Sequence, residues 1–214
     1  MIVLCLPRHR VIHSDPVLGS VLVLLAAVGC GSGPAAPRLP SVDANSAASD
    51  AMRLYDRNGD GTLDADERVA SPALAKAARS IDSDGNGSID QREICAYIES
   101  WKESGTALVD VIAEVVLDGA PLTDAELIVE PEPFLGDAYS IARSSTDASG
   151  LATFVGAHPQ LPGLPVGFYR VRVSKKDAAG RERIPASYND ATELGIVVAA
   201  NAGNHSRFEL KSTR

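Results

Sequence analysis

Two acidic stretches carry the residues with the most specific chemistry in this 214-residue chain. The first runs from Asp56 through Asn58, Asp60, Thr62 and Asp64 to Glu67, and the second from Asp82 through Asp84, Asn86, Ser88 and Asp90 to Glu93. Numbered from its first Asp, each stretch has oxygen-bearing side chains at positions 1, 3, 5 and 9 and Glu at position 12. Gly61 and Gly87 stand at position 6, and Leu63 and Ile89 at position 8. Calcium is a hard cation that takes six to eight oxygen ligands, and this spacing wraps such ligands around one point. In that arrangement Asp56, Asn58, Asp60, Asp82, Asp84 and Asn86 supply single oxygens. Thr62 and Ser88 act through their backbone carbonyls, Asp64 and Asp90 act partly through water, and Glu67 and Glu93 give two oxygens each. Asp, Asn and Gly are also ordinary turn formers. A plain turn, however, has no reason to gather Asp56, Asp60, Asp64 and Glu67, or Asp82, Asp84, Asp90 and Glu93, whose like charges repel at short range. Two calcium ions are therefore expected.

The elements around these stretches fit the same reading. Ala48, Ala51, Met52 and Tyr55 recur at helical spacing ahead of the first stretch, Leu74, Ala77, Ala78 and Ile81 ahead of the second, and Ile94, Tyr97, Ile98 and Trp101 after it. Loop and helices together resemble an EF-hand pair over residues 46–102, with Leu63 and Ile89 facing each other in the short bridge that couples paired loops. The span between Glu67 and Asp82 is short and contains Ser71-Pro72, so Pro72 should end one helix and open the next. Such a compact pair is similar to dockerin-like or small bacterial EF-hand modules. It favours a structural or buffering site over a switch.

From Thr106 onwards the period changes to two. Candidate strands are Leu108–Leu117, Ala125–Glu130, Tyr139–Ser144, Leu151–Val155, Phe168–Ser174, Gly195–Ala200 and His205–Lys211. Turn signals separate them at Asp118-Gly119, Ser149-Gly150, Leu161-Pro162-Gly163 and Ala202-Gly203-Asn204. Seven short strands in this length predict an antiparallel β-sandwich. In the fifth strand Tyr169, Val171 and Val173 should face inward, with Arg170 and Arg172 on the wet face. The segments Val116–Leu122, Thr146–Phe154 and Pro165–Val173, followed by Ile184–Asp190 and Phe208–Ser212, resemble a carboxypeptidase-regulatory-like domain, a transthyretin-like β-sandwich found in many small bacterial lipoproteins. The resemblance covers residues 106–214 and implies a non-catalytic accessory or surface module. The predicted fold class is thus α+β as two separate domains, an all-α EF-hand pair followed by a seven-stranded antiparallel sandwich.

The N-terminus reads as an export leader. Arg8, His9, Arg10 and His13 precede an apolar run from Val17 to Val28 that is shorter than a membrane span of about 20 residues. The run ends in Ala26-Ala27-Val28-Gly29-Cys30, similar to the lipobox of bacterial lipoproteins, although Ala27 stands where Leu is commonest. Residues 1–29 are read as a signal peptide and Cys30 as a lipidated anchor. The competing reading is a secreted protein cut near the same point. With Cys5 lost and Cys30 lipidated, Cys95 is left without a disulfide partner and is read as a small core residue. Residues 30–45, rich in Gly, Pro, Ala and Ser, read as a flexible tether.

A formal net charge of −8 argues against a general nucleic-acid binder. The cationic run Arg170, Arg172, Lys175, Lys176, Arg181 and Arg183 could meet an acidic polymer, but it reads more simply as a solvated face. No enzyme is expected. His158 and His205 lack spaced partners, and neither a Gly-x-Ser-x-Gly elbow nor a phosphate-cradling loop occurs. The sequence therefore points to a calcium-binding envelope lipoprotein whose β module meets a protein or polysaccharide partner. The alternatives are a dockerin-like calcium-dependent docking protein and an accessory subunit of an envelope enzyme.

Overall fold

The computed structural model describes residues 42–106, 108–154, 163–200 and 205–212. The leader, Cys30, most of the tether and His158 lie outside the described residues.

Helix α1 (Ala44–Tyr55) starts inside the segment read as tether, because Asp43 caps it: its Oδ1 accepts from the Ser46 N–H at 2.7 Å. The preceding Val42 is already buried. Composition concealed this start, since the same Ala, Asn and Ser serve a linker and a first turn. After α1 come strand β1 (Thr62–Leu63), the single-turn helix α2 (Ala65–Arg68), α3 (Pro72–Ile81), strand β2 (Ile89–Asp90) and α4 (Gln91–Glu103). Pro72 stands at the first position of α3, where its missing N–H has no intrahelical partner to lose. Ala47, Ala48 and Ala51 form a stripe of small buried side chains on α1, which packs on α4. The inward faces of α3 and α4 are Leu74, Ala77 and Ile81, and Ile94, Ile98 and Trp101.

The remainder is β-rich: β3 (Leu108–Val109), β4 (Ile112–Leu117), β5 (Ala120–Pro121), β6 (Glu126–Pro131), β7 (Ala142–Ser145), β8 (Leu151–Thr153), β9 (Leu164–Pro165), β10 (Gly167–Ser174), β11 (Gly195–Val198) and β12 (His205–Leu210). One sheet has the order β11-β10-β6-β7. In the other, β4 is flanked by β12 on one side and by β5 and β8 on the other. The segment read as one strand over 108–117 is interrupted, and β3 pairs instead with β9. The β4–β5 hairpin closes through Asp118 (φ 51°) and Gly119 (φ 87°), the doubly positive turn that an Asp-Gly pair favours.

The expected strand pairing needs correction. The sheets are not wholly antiparallel, because β12 runs parallel to β4, with Phe208 beside Val115 and Leu210 beside Leu117. The chain leaves β11 in one sheet and re-enters at β12 in the other. This crossing, rather than a hairpin, allows parallel pairing. The inward reading of Tyr169, Val171 and Val173 holds, since each is fully buried.

The described helical and β segments also share one core rather than forming separate bodies. Helix α3 lies against β11 and β10. Gly195 at the start of β11 comes so close to α3 that a Cβ there would stand 2.5 Å from the Ala73 nitrogen. Phe168 on β10 is ringed by Trp101, Tyr97 and Phe134, with centroids 5.1, 5.6 and 5.5 Å away. Such tilted aromatic pairs add to the hydrophobic gain of burial.

Candidate metal centre

The two acidic stretches form loops of closely matching construction. In the first, the Asp56 carboxylate accepts from Gly59 N at 2.7 Å and, through its other oxygen, from Gly61 N at 3.0 Å. In the second, Asp82 accepts from Gly85 N at 2.8 Å and Gly87 N at 2.9 Å. The opening Asp thereby folds the loop back on itself. Gly61 (φ 86°) and Gly87 (φ 87°) supply the left-handed backbone that the turn requires. Asn58 Oδ1 accepts from Asp60 N at 2.8 Å, and Asp84 Oδ1 from Asn86 N at 3.0 Å, so the residues at positions 3 and 5 are held beside each other. Donation from Thr62, through its N–H and hydroxyl, and from Asn58 holds the Asp60 carboxyl below its usual range. Ser88 donates its N–H to Asn86 Oδ1.

Each loop is closed by its last Glu. Glu67 is 3 % exposed and Glu93 8 % exposed. Glu67 accepts from Arg57 N at 2.8 Å on one oxygen and from Asp64 N at 3.2 Å on the other. Glu93 accepts from Ser83 N at 2.8 Å and Asp90 N at 3.0 Å in the same way. Asp64 and Asp90 complete reciprocal capping boxes, each accepting from the N–H of its Glu at 2.9 Å. Their position at the ninth place of each loop is thus also a helix start. Burial works against the Asp90 charge, but hydrogen bonds from Arg92 and Glu93 outweigh it and lower its pKa.

The loops face each other through β1 and β2, which pair antiparallel with Leu63 opposite Ile89. Both side chains are fully buried. Arg68 adds a tie that sequence reasoning missed: its Nη1 donates to the Leu63 carbonyl at 2.6 Å and to the Gly87 carbonyl of the second loop at 3.1 Å. The carboxylate oxygens of Asp82, Asp84 and Glu93 lie within 4.8 Å of one another, and these three residues could hold a cation. Among the described residues no corresponding set of three acids converges in the first loop, where Asn58 occupies the place of Asp84.

A second polar cluster lies between the helices and the sheet. Glu132, just after β6, has no exposure to solvent. Its Oε2 accepts from Arg170 Nε at 2.9 Å and from the Tyr55 hydroxyl at 3.1 Å, and its Oε1 from Ala73 N at 3.3 Å. Arg170 Nη2 donates to the Ala70 carbonyl at 2.7 Å. Burial, together with the Glu132 charge, pushes Tyr55 up to about 12. Arg170 therefore does not belong to a wet face. Arg172 likewise pairs with Glu130 at 3.1 Å and Asp190 at 2.6 Å. Period-two reading placed both arginines on the face of β10 opposite Tyr169, Val171 and Val173, but that face is not wet, and the carboxylates and helices that meet it could not be foreseen. His205 opens β12 and is exposed, as expected, and Cys95 is a free, half-buried thiol.

No family model matches the chain, and no curated protein matches it. Among solved structures, about half of the chain is similar to three proteins. The Bacillus anthracis TIE protein matches with 14 % identity and a TM-score of 0.32, over 49 % of this chain and 16 % of its own. A D312A form of BcpA, the major pilin subunit of Bacillus cereus, matches with 8 % identity and a TM-score of 0.31, over 49 % and 30 %. A DUF3823 family protein from Parabacteroides merdae matches with 12 % identity and a TM-score of 0.30, over 50 % and 46 %. The chain thus spans less than half the length of each, and likenesses at this level assign neither fold nor function.

Proposed function

We propose that residues 46–102 are a paired EF-hand that binds two calcium ions, and that the protein is a non-catalytic envelope lipoprotein anchored through Cys30, with residues 106–214 as its transthyretin-like interaction module. The observation that carries the calcium reading is the shared construction of the two loops. Each has an opening Asp that accepts from the position-6 glycine and a closing Glu buried against backbone N–H groups. They are coupled back to back through Leu63 and Ile89.

The donor set fits a hard cation. Every candidate ligand is an oxygen, and Asp82, Asp84 and Glu93 already converge. Calcium would be held in the first loop by Asp56, Asn58, Asp60, the Thr62 carbonyl, Asp64 and Glu67. In the second it would be held by Asp82, Asp84, Asn86, the Ser88 carbonyl, Asp90 and Glu93. Its charge would relieve the repulsion among the carboxylates. An exported protein meets abundant calcium, so affinity of about 10⁻⁵ to 10⁻³ M suffices. Magnesium, which prefers a tighter octahedron and keeps its waters, should substitute poorly.

The dockerin-like alternative asks for a helix face left free to grip a partner. The buried faces of α1, α3 and α4 are instead part of the core shared with the strands, which favours the first reading. Titration calorimetry of the intact chain is the test: uptake of two calcium ions is expected, and no uptake at millimolar calcium overturns the reading.

A further inference from the structure

The buried Glu132 cluster touches three of the four segments that flank the two calcium loops, all but α4. Tyr55, which donates to Glu132, is the last residue of α1 and directly precedes Asp56, the first residue of loop one. Ala70, whose carbonyl accepts from Arg170, follows the short helix α2 by which the chain leaves loop one. Ala73, whose N–H donates to Glu132, lies in the first turn of α3, the helix that delivers Asp82 to loop two. Arg170 belongs to β10 and Glu132 directly follows β6, the two central strands of a sheet: Glu132 N donates to the Phe168 carbonyl just past the β6–β10 ladder, and Arg170 pairs with Glu130 in it. Two of the three donors to Glu132, the Tyr55 hydroxyl and the Ala73 N–H, come from the helical segment. Beside them Gly195 on β11 seats α3 backbone against backbone, leaving no room for even a methyl group to shift the helix.

A buried carboxylate stripped of its donors is strongly unfavourable. If the helical segment opens, Glu132 loses Tyr55 and Ala73 together. The cost of opening the loops is therefore felt in β6 and β10. Conversely, anything that holds the loops closed holds the sheet. We propose that the Tyr55–Glu132–Arg170 cluster couples the calcium loops to the β6–β10 strands, so that calcium bound at the loops sets the stability of the sheet some distance away. This rests on the calcium reading of the loops and goes beyond it. The paired loops do not act as a free-standing buffer, and calcium governs how long the β module stays closed.

A ligand that binds only the closed form stabilises it by the factor 1 + [L]/Kd for each site. At calcium concentrations about 100 times Kd, hydrogen exchange of the slowest amides in β6 and β10 should slow about 100-fold per filled site relative to a chelator-treated sample. The experiment is run on the intact chain, with calorimetry on the same samples. Tyr55→Phe removes one hydroxyl and should keep calcium uptake while cutting the calcium-dependent protection of β6 and β10 at least about tenfold, the factor corresponding to one lost hydrogen bond to a charged group. Glu132→Gln should do the same more strongly. If that variant fails to fold, Tyr55→Phe carries the test alone. Calcium uptake with slowed exchange confined to residues 42–103 overturns the coupling and leaves the calcium reading standing. Full protection in Tyr55→Phe overturns the role of the cluster. No heat of calcium binding in the unaltered chain overturns the calcium reading itself, and the coupling with it.

Discussion

At the scale of single residues, the closing glutamates and the buried tyrosines make the sharpest expectations. Glu67 and Glu93 each sit where one carboxylate can give two oxygens, so Glu67→Gln should weaken the first site and Glu93→Gln the second. The expected loss is about tenfold or more in affinity, equivalent to about 1.4 kcal/mol, read by calorimetry of each variant. Tyr139 is held by burial with a pKa pushed up to about 12, and its hydroxyl donates to the Val166 carbonyl at 2.9 Å. Burial, with Tyr139 beside it, also raises Tyr169. The fold thus prefers the protonated phenol. Its stabilisation is complete below the unfolded value near 10 and is lost as pH rises from there through about 12. Thermal unfolding followed against pH should show that decline, and Tyr139→Phe should make it shallower while lowering stability near neutrality. The two loops and their oxygen-bearing residues were legible because those residues recur at fixed offsets within a short segment. The Glu132 cluster was not, because its members are separated by up to 115 residues and no local pattern announces their meeting.

At the scale of elements, period and turn chemistry located most helices and strands, and steric contact decided how they dock. Helix α3 owes its start to Pro72 and its seat to Gly195, whose missing side chain admits the helix backbone. Gly195→Ala should push α3 off β11 and cost about 1–3 kcal/mol, as overpacking of a tight contact does. Urea unfolding of the variant and the unaltered chain measures this. The strand break at Asp110 and Val111 and the parallel pairing of β12 were invisible in the residue pattern. Alternation reports which face of a strand is buried, but not which neighbour it finds. The capping role of Asp43 could have been read from its place before an alanine-rich turn. It was masked by the polar and small residues ahead of it.

At the scale of the whole molecule, two outcomes separate the possible organisations. Phe168 is fully buried, under aromatic rings contributed by α4 and by the turn after β6. A chain of residues 106–214 loses Trp101 and Tyr97, exposing part of a side chain whose burial contributes about 1.5–3 kcal/mol. It also leaves Glu132 without Tyr55 and Ala73. Its sheets should unfold at lower urea than those of the intact chain, as followed by circular dichroism. An equal midpoint would mark two independent bodies. The anchor is tested separately. Cys30→Ser should abolish metabolic lipid labelling and detergent partitioning of the protein, and equal labelling of both forms would remove the lipoprotein proposal.

The sequence by itself determined the local features: the oxygen ligand pattern, the glycines at the loop turns, the helix faces, the inward side of β10 and the Asp-Gly hairpin. Each depends on residues a few positions apart, where backbone geometry sets the periodicity. Only the tertiary structure decided that the helical pair and the sheets share a core, that β12 lies parallel to β4, and that Glu132 and Arg170 meet Tyr55. These outcomes depend on which buried surfaces fit together and on which donors can satisfy a carboxylate shut away from water. Both conditions are met by residues far apart in the chain, and so neither appears in any short stretch of it.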